Sequence, residues 1–255
     1  MADGQRVPNN DHPRASIAVL GFVAAAFLSL PAAAGPRPYG YTQGFDSLSN
    51  GSLELESWFS AATRKSAPGA WDWWLGPVAG ITDRFEAGLF AIFQQSPQSA
   101  SAGGLSLGSL RAQASYQLAD KAAWPVDVRL RLEYGQPVAV GESASVWVLG
   151  IVSRSFGPLD LTLNVGSWLG FPSGQVDKYL DHAFGASYDV GGGLRLGAEM
   201  FGGMKFAKNG TRLGYSAGPS LAYGRGRLWV SGSFAFDAIG QAPDHRGRIV
   251  LGLDL

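Results

Sequence analysis

The chain has no cysteine. That excludes disulfide staples, thiolate nucleophiles and thiolate-held metals. Histidine is almost as scarce: His12, His182 and His245 lie far apart, and none belongs to a ligand cluster. No metal or cofactor is expected. Charged residues make up 16% of the sequence, against roughly 25% in ordinary soluble proteins. The 20 Lys and Arg balance 20 Asp and Glu, so no basic footprint for nucleic acid is visible. Long apolar runs are missing too. Beyond Leu30 no apolar stretch reaches the roughly 18 residues of a helical membrane span. Low charge without long apolar runs fits a chain whose apolar residues fall at every second position.

That pattern is plainest from Pro125 to Tyr134. Val126, Val128, Leu130, Leu132 and Tyr134 alternate with Asp127, Arg129, Arg131 and Glu133. A period of two is a β-strand with one apolar and one charged face. Successive charges on one face do not pack into a dry core. Such a strand needs oil on one side and a polar enclosure on the other. The fold class expected is all-β: a transmembrane antiparallel up-and-down β-barrel, apolar outside and polar inside.

The first residues read differently. Residues 1–16 are polar and carry Arg6 and Arg14, Ile17–Leu30 is apolar, Pro31 breaks any helix, and Ala32–Ala34 supplies an A-x-A site. Residues 1–34 are therefore expected to be a cleaved secretory signal, although Asp3 and Asp11 make its start less basic than usual. The alternative, a membrane anchor, is short of the roughly 20 apolar residues a span needs. Residues 35–51, rich in Gly, Pro and Ser, read as an irregular periplasmic lead-in, and 52–255 as the barrel.

About twelve alternating segments can be marked from Ser52 onward, with ten to fourteen possible. Leu53, Leu55 and Phe59 point outward on the first, with Glu54 and Glu56 inward. Trp71, Trp73 and Leu75 oppose Asp72 on the second. Phe85, Ala87, Leu89, Ala91 and Phe93 oppose Glu86 on the third. Leu110, Ala112, Ala114, Tyr116 and Leu118 oppose Arg111, Gln113, Ser115 and Gln117 on the fourth. The Pro125–Tyr134 segment is the fifth. Segment six, about 144–154, is apolar on both faces, so its phase is open. Segment seven sets Leu159, Leu161, Leu163 and Val165 against Asp160, Thr162 and Asn164. Segment eight, about 182–190, is weakly patterned. Segment nine sets Leu194, Leu196, Ala198 and Met200 against Arg195 and Glu199. Tyr215, Ala217, Leu221 and Tyr223 face outward on the tenth, and Leu228, Val230, Phe234 and Phe236 on the eleventh, opposite Ser231, Ser233 and Asp237. Ile249, Leu251, Leu253 and Leu255 complete the set, opposite Arg248 and Asp254.

Short turns follow segments two, six, eight and ten, and longer polar connections are expected at 62–69, 95–104, 135–143, 170–181, 203–211 and 238–246. Outer-membrane barrels have short periplasmic turns and longer outer loops. Outward aromatics also gather at two levels. Phe85, Tyr116, Tyr188 and Tyr223 lie at the short-turn ends, and Trp71, Phe93, Tyr134, Tyr215 and Phe236 at the long-loop ends. Eight strand steps tilted in a barrel rise roughly 20 Å, close to the roughly 25 Å apolar belt between such girdles. Outer-membrane lipid is the expected surrounding.

The inward charges are Glu54, Glu56, Asp72, Glu86, Arg111, Asp127, Arg129, Arg131, Glu133, Asp160, Arg195 and Glu199. Two readings of them stand. They line a narrow polar pore that passes small solutes, or they pair across strands and plug a structural or surface-interaction barrel. Twelve strands lie between the filled eight-stranded and the water-filled sixteen-stranded barrels, so size does not choose. An enzyme is the third class and is not expected. A lipid-cleaving barrel would set a His beside a Ser on the outward face. Ser49-Asn50-Gly51 resembles a fragment of an outer-membrane phospholipase active-site sequence, but it lacks the preceding His and precedes the first strand.

Two further stretches resemble known proteins. Ile249, Leu251, Leu253 and Leu255 look like the C-terminal signal by which the barrel assembly machinery recognises outer-membrane barrels, with Leu255 where an aromatic residue is usual. Leu53-Glu54-Leu55-Glu56 and Gly80-Ile81-Thr82-Asp83-Arg84-Phe85-Glu86 resemble the opening hairpin of a broad group of Gram-negative barrels. That group includes the transporter family linked to the phenol meta-cleavage pathway. The resemblance implies the fold and a transport role, and it covers about the first third of the sequence after the signal.

Overall fold

The computed structural model describes residues 37–64, 67–95, 106–139, 141–172, 176–207, 210–240 and 243–255. The expected signal, 1–34, and most of the 95–104 connection lie outside them. Twelve strands close into one antiparallel barrel: β1 (Leu53–Arg64), β2 (Ala67–Thr82), β3 (Phe85–Gln95), β4 (Ser106–Gln117), β5 (Asp127–Pro137), β6 (Ser145–Phe156), β7 (Leu159–Gly170), β8 (Asp177–Gly191), β9 (Leu194–Ala207), β10 (Gly210–Arg225), β11 (Leu228–Gly240) and β12 (His245–Asp254). Each strand pairs with its chain neighbours, and β1 pairs with β12 from Glu54↔Asp254 to Thr63↔His245, so no edge is left unpaired. The all-β barrel with twelve strands is as the sequence predicts.

The two faces separate as a period of two requires. On β5, Asp127, Arg129, Arg131 and Glu133 are all buried, while Leu130, Leu132 and Tyr134 are exposed. Large apolar side chains cover the outside, among them Leu89, Leu110, Leu163, Phe184, Leu196, Leu221, Phe234 and Ile249. A soluble surface rarely carries so continuous an apolar patch.

The structure sets the phase of β6, which the sequence leaves open. Val148 points outward, and Leu149 and Ile151 are buried inside. Strand lengths differ from expectation at the loop end of the barrel. The connections at 62–69 and 203–211 are not long, because β1 runs to Arg64, β2 starts at Ala67, β9 runs to Ala207 and β10 starts at Gly210. β8 likewise begins at Asp177, five residues before His182. Polar residues at these strand ends read as loop in the sequence, but the ladder is made by backbone groups, which pair regardless of side-chain polarity.

At the opposite end, two-residue links join β2–β3, β6–β7, β8–β9 and β10–β11. Gly192 and Gly193, at φ of +65° and +85°, form the β8–β9 link. Positive φ at both central residues is the turn that matches the twist of paired strands, and glycine reaches it without steric cost.

The lead-in is the largest difference. It is irregular, as expected, but residues 37–52 do not lie outside the barrel: Tyr39, Thr42, Gln43 and Phe45 are buried inside it. The segment enters at the turn end, reaches its deepest point near Tyr41, and returns to β1. There the Gly51 N–H donates to the Gly80 carbonyl at 2.8 Å.

Candidate functional site

The site is the lumen together with this re-entrant segment. Backbone in a loop has unsatisfied donors and acceptors, and inside a barrel lumen side chains or water must satisfy them. Glu199 on β9 accepts three successive N–H groups, from Gly40 at 2.9 Å, Tyr41 at 2.9 Å and Thr42 at 2.5 Å. Such converging amides make an anion-binding concavity, filled here by a carboxylate of the same chain. The Ser233 hydroxyl donates to the same carboxylate. Asn164 on β7 holds the next residue from both sides: its Oδ1 accepts the Gln43 N–H at 2.6 Å, and its Nδ2 donates to the Gln43 carbonyl at 2.9 Å. Arg129 on β5 donates to the Asp46 carbonyl at 2.7 Å and pairs with Glu86. Glu86 also accepts the Leu48 N–H at 3.0 Å. The Tyr39 ring packs over Gly185, where a Cβ would lie 2.5 Å from Cε1. Its hydroxyl donates to the Asp160 carbonyl at 3.1 Å, and burial pushes the phenol up to about 12, so it stays a neutral donor.

The remaining inward charges are engaged by neighbours. Arg37 of the segment pairs with Glu56, with Glu54 at 4.0 Å. The Trp229 indole donates to Glu54 at 2.5 Å and the Trp58 indole to Glu56 at 2.6 Å. Glu133 accepts from Arg111 at 2.9 Å and from Arg131 Nε at 2.8 Å. Arg131 reaches the Gln43 side chain at 2.9 Å and also bonds Gln113. Asp160 pairs with Arg195. Asp127 accepts the Ala122 N–H at 2.6 Å and so ties down the β4–β5 turn, where Ala122 has φ of +62°. In that turn, the exposed Asp120 is held below the usual carboxylate range by its hydrogen bond from Arg84. Asp72 accepts the Trp74 indole N–H at 3.0 Å.

The lumen is not polar throughout. Trp58, Val78, Phe90, Trp229 and Val250 form a buried apolar cluster inside it, with Trp74 packed against it. Trp58 and Trp74 stack at 5.3 Å, and Tyr41 stacks on Phe201 at 3.9 Å. The sequence carried a signal for these residues: Trp58 shares parity with Glu54 and Glu56, and Trp74 with Asp72. An expectation of polar inward residues hides them.

The re-entrant segment lies between two sets of cavities. On the turn side a cavity of about 420 Å³ is bounded by Arg37, Glu54, Glu86, Arg195 and Trp229. On the loop side three adjoining cavities share Tyr41 and Arg248; one of them, about 360 Å³, is lined by Trp58, Trp74, Arg111, Trp147 and Trp168 among others.

The aromatic and C-terminal positions are on the outer face. Phe85 sits opposite Tyr116 at the turn end, and Tyr116, Tyr134, Tyr188 and Phe236 are exposed. Tyr223 pairs with Val230. At the loop end Trp71 packs on Phe59, Phe93 on Trp73, and the Tyr215 hydroxyl meets His182 Nδ1 at 2.9 Å. Ile249, Leu251, Leu253 and Leu255 are exposed. Among the described residues no group of acids and histidines could hold a metal.

No protein-family model and no curated sequence matches the chain. Solved structures do share its fold. The COG4313 outer-membrane channel from Pseudomonas putida F1 aligns with a TM-score of 0.60 at 13% identity, over 83% of this chain and 98% of that one. The NanC porin aligns at 0.56 and 9% identity, over 80% and 100%. The KdgM porin, solved in complex with disordered oligogalacturonate, aligns at 0.54 and 9%, over 80% and 99%. At such identities the likeness establishes the barrel fold.

Proposed function

We propose that this chain is an outer-membrane channel that passes small solutes through a narrow lumen, with residues 37–52 as its constriction. One observation carries the reading: a closed barrel with an oily exterior holds a polar lumen that contains cavities on both sides of a pinned segment. A purely structural barrel of this size has no need of cavities on both sides. The two sequence readings therefore combine, with ion pairs that hold a segment inside a pore. Resemblance of the first hairpin to the transporter family linked to phenol meta-cleavage, and the likeness of the fold to an outer-membrane channel and to porins, support transport.

In this reading residues 1–34 are the cleaved signal, and the two aromatic levels meet the lipid headgroups. The strand ending at Leu255 is the surface recognised by the barrel assembly machinery. The twelve inward charges position the segment and line the solute path. No catalytic role is assigned: His182 is engaged by Tyr215, and His245 stacks on Phe234.

The test is single-channel recording of the refolded mature chain, Gly35–Leu255, in a planar bilayer, after heat-modifiable gel mobility has established folding. Discrete steps are expected. A folded protein that stays silent, and remains silent when residues 37–47 are deleted, would refute the channel.

A further inference from the structure

Among the described residues inside the barrel, Arg248 stands apart from the cations that are paired with carboxylates. Arg37, Arg111, Arg129, Arg131 and Arg195 each have a carboxylate partner. Arg248 on β12 has none within 4.0 Å among the described residues. Its Nε donates to the Ser60 hydroxyl at 3.0 Å, and Nη1 is 3.5 Å from the Gly40 carbonyl. The guanidinium lies 4.2 Å from the centre of the Tyr41 ring, which fixes its position at the floor of the loop-side cavities. A half-buried guanidinium with N–H groups to spare is a ready partner for a carboxylate, since its fork matches the two oxygens.

Two acids, Glu133 and Asp181, line the same cavity, and neither pairs with Arg248 among the described residues. Glu133 is taken by Arg111 and Arg131, and Asp72, in the adjoining cavity, by the Trp74 indole. Asp181 lies beside Trp147 in the lining of the same cavity and makes no ion pair with Arg248 among the described residues. Arg111 on β4 lines the same cavity; it sits 4.5 Å from the Trp74 ring centre, and its buried Nε has no acceptor among the described residues. Around these two guanidinium groups stand Trp147 and Trp168, paired across β6 and β7, and Tyr179. The cavity of about 360 Å³ falls at the small end of the range for small-molecule sites, roughly 300–1,000 Å³.

We propose that this vestibule binds organic carboxylates with a flat or ring-shaped body. The carboxylate meets Arg248 with Arg111 beside it, and the ring lies against Trp147 and Trp168. The inference rests on the channel reading and names the solute class at its loop-side mouth.

The four tryptophans of the cavity, Trp58, Trp74, Trp147 and Trp168, give the readout. The refolded full mature chain is titrated with benzoate, galacturonate, acetate and benzamide while indole fluorescence is followed. Saturable binding of a ring-bearing carboxylate, with benzamide and acetate much weaker, is expected; benzoate against galacturonate then tells an aromatic from a sugar ring. Arg248→Gln should weaken the binding by about tenfold or more, the loss of a charge-assisted bidentate bond. Trp168→Leu should also weaken it, and serves if the first variant does not fold. Equal binding of benzoate and benzamide, equal binding of acetate, or unchanged affinity in a folded Arg248→Gln variant overturns the proposal. Conductance of the same preparation is a separate readout. Channels without carboxylate preference sink the vestibule alone, whereas specific binding with no channels, even after residues 37–47 are deleted, sinks the transport reading.

Discussion

Glu199, like Arg129, meets three backbone groups of the lumen segment. It accepts the Gly40, Tyr41 and Thr42 amides, and Ser233 closes its remaining valence. Glu199→Ala leaves the Tyr41 and Thr42 amides without an acceptor, while Gly40 keeps the Ser233 hydroxyl at 3.2 Å, and an unmet buried donor costs about 1–3 kcal/mol. The barrel ladder is untouched, so the loss falls on the segment. The variant should keep its heat-modifiable mobility while its single-channel conductance rises or becomes noisy. Gly185→Val probes the same contact sterically. Because a Cβ there would lie 2.5 Å from the Tyr39 ring, Tyr39 must move. Amide exchange of residues 39–45 should accelerate, and protection of the strands should not. At this scale the sequence was partly legible. The parity of Glu54, Asp72 and Glu199 follows from the alternation alone. What each charge touches does not, because Arg129 meets carbonyls of residues 44–46 from more than 80 positions away.

Among the elements, β5 and β6 show where the sequence speaks and where it is silent. β5 has charge on four successive inward positions, Asp127 to Glu133, so its phase can be read directly. β6 has Leu149 and Ile151 inside and Val148 outside, and only pairing with β5 and β7 decides between its faces. The lead-in escaped for another reason. Its Gly, Pro and Ser content denotes irregular backbone, and composition does not say on which side of a wall an irregular chain lies. The Gly192–Gly193 link, by contrast, follows from turn chemistry. Replacing Gly192, at φ of +65°, by Val should cost roughly 1–2 kcal/mol, the usual penalty for a Cβ in left-handed backbone. A matching fall in urea midpoint at constant slope would check it.

For the whole molecule, the controlling contrast is between an oily outer belt and a hydrogen-bonded interior. An arginine at Leu132, exposed on the outward face of β5, should destabilise the protein in lipid by about 2–4 kcal/mol if the position is near mid-bilayer. Equilibrium unfolding in liposomes would measure it. Arg129→Ala acts from the opposite face. It leaves Glu86 buried without its partner, and breaking such a pair costs about 3–5 kcal/mol. An unchanged unfolding midpoint for that variant would contradict the burial of this pair.

The path of residues 37–52 has a mechanical consequence. Both ends of the segment emerge at the turn end of the barrel, Arg37 beside Glu56 and Ser52 beside Gly80. It is a tethered bung rather than a threaded rope. Removing it requires no opening of the β1–β12 seam and no passage of a free end through the wall. A steady pull on the N terminus would meet the Arg37–Glu56 contact, then the Tyr39 packing, then the Glu199 clasp, one after another. Withdrawal in a force experiment should therefore be a series of small, reversible yields at loads the closed barrel survives, and relaxing the force should let the bung reseat.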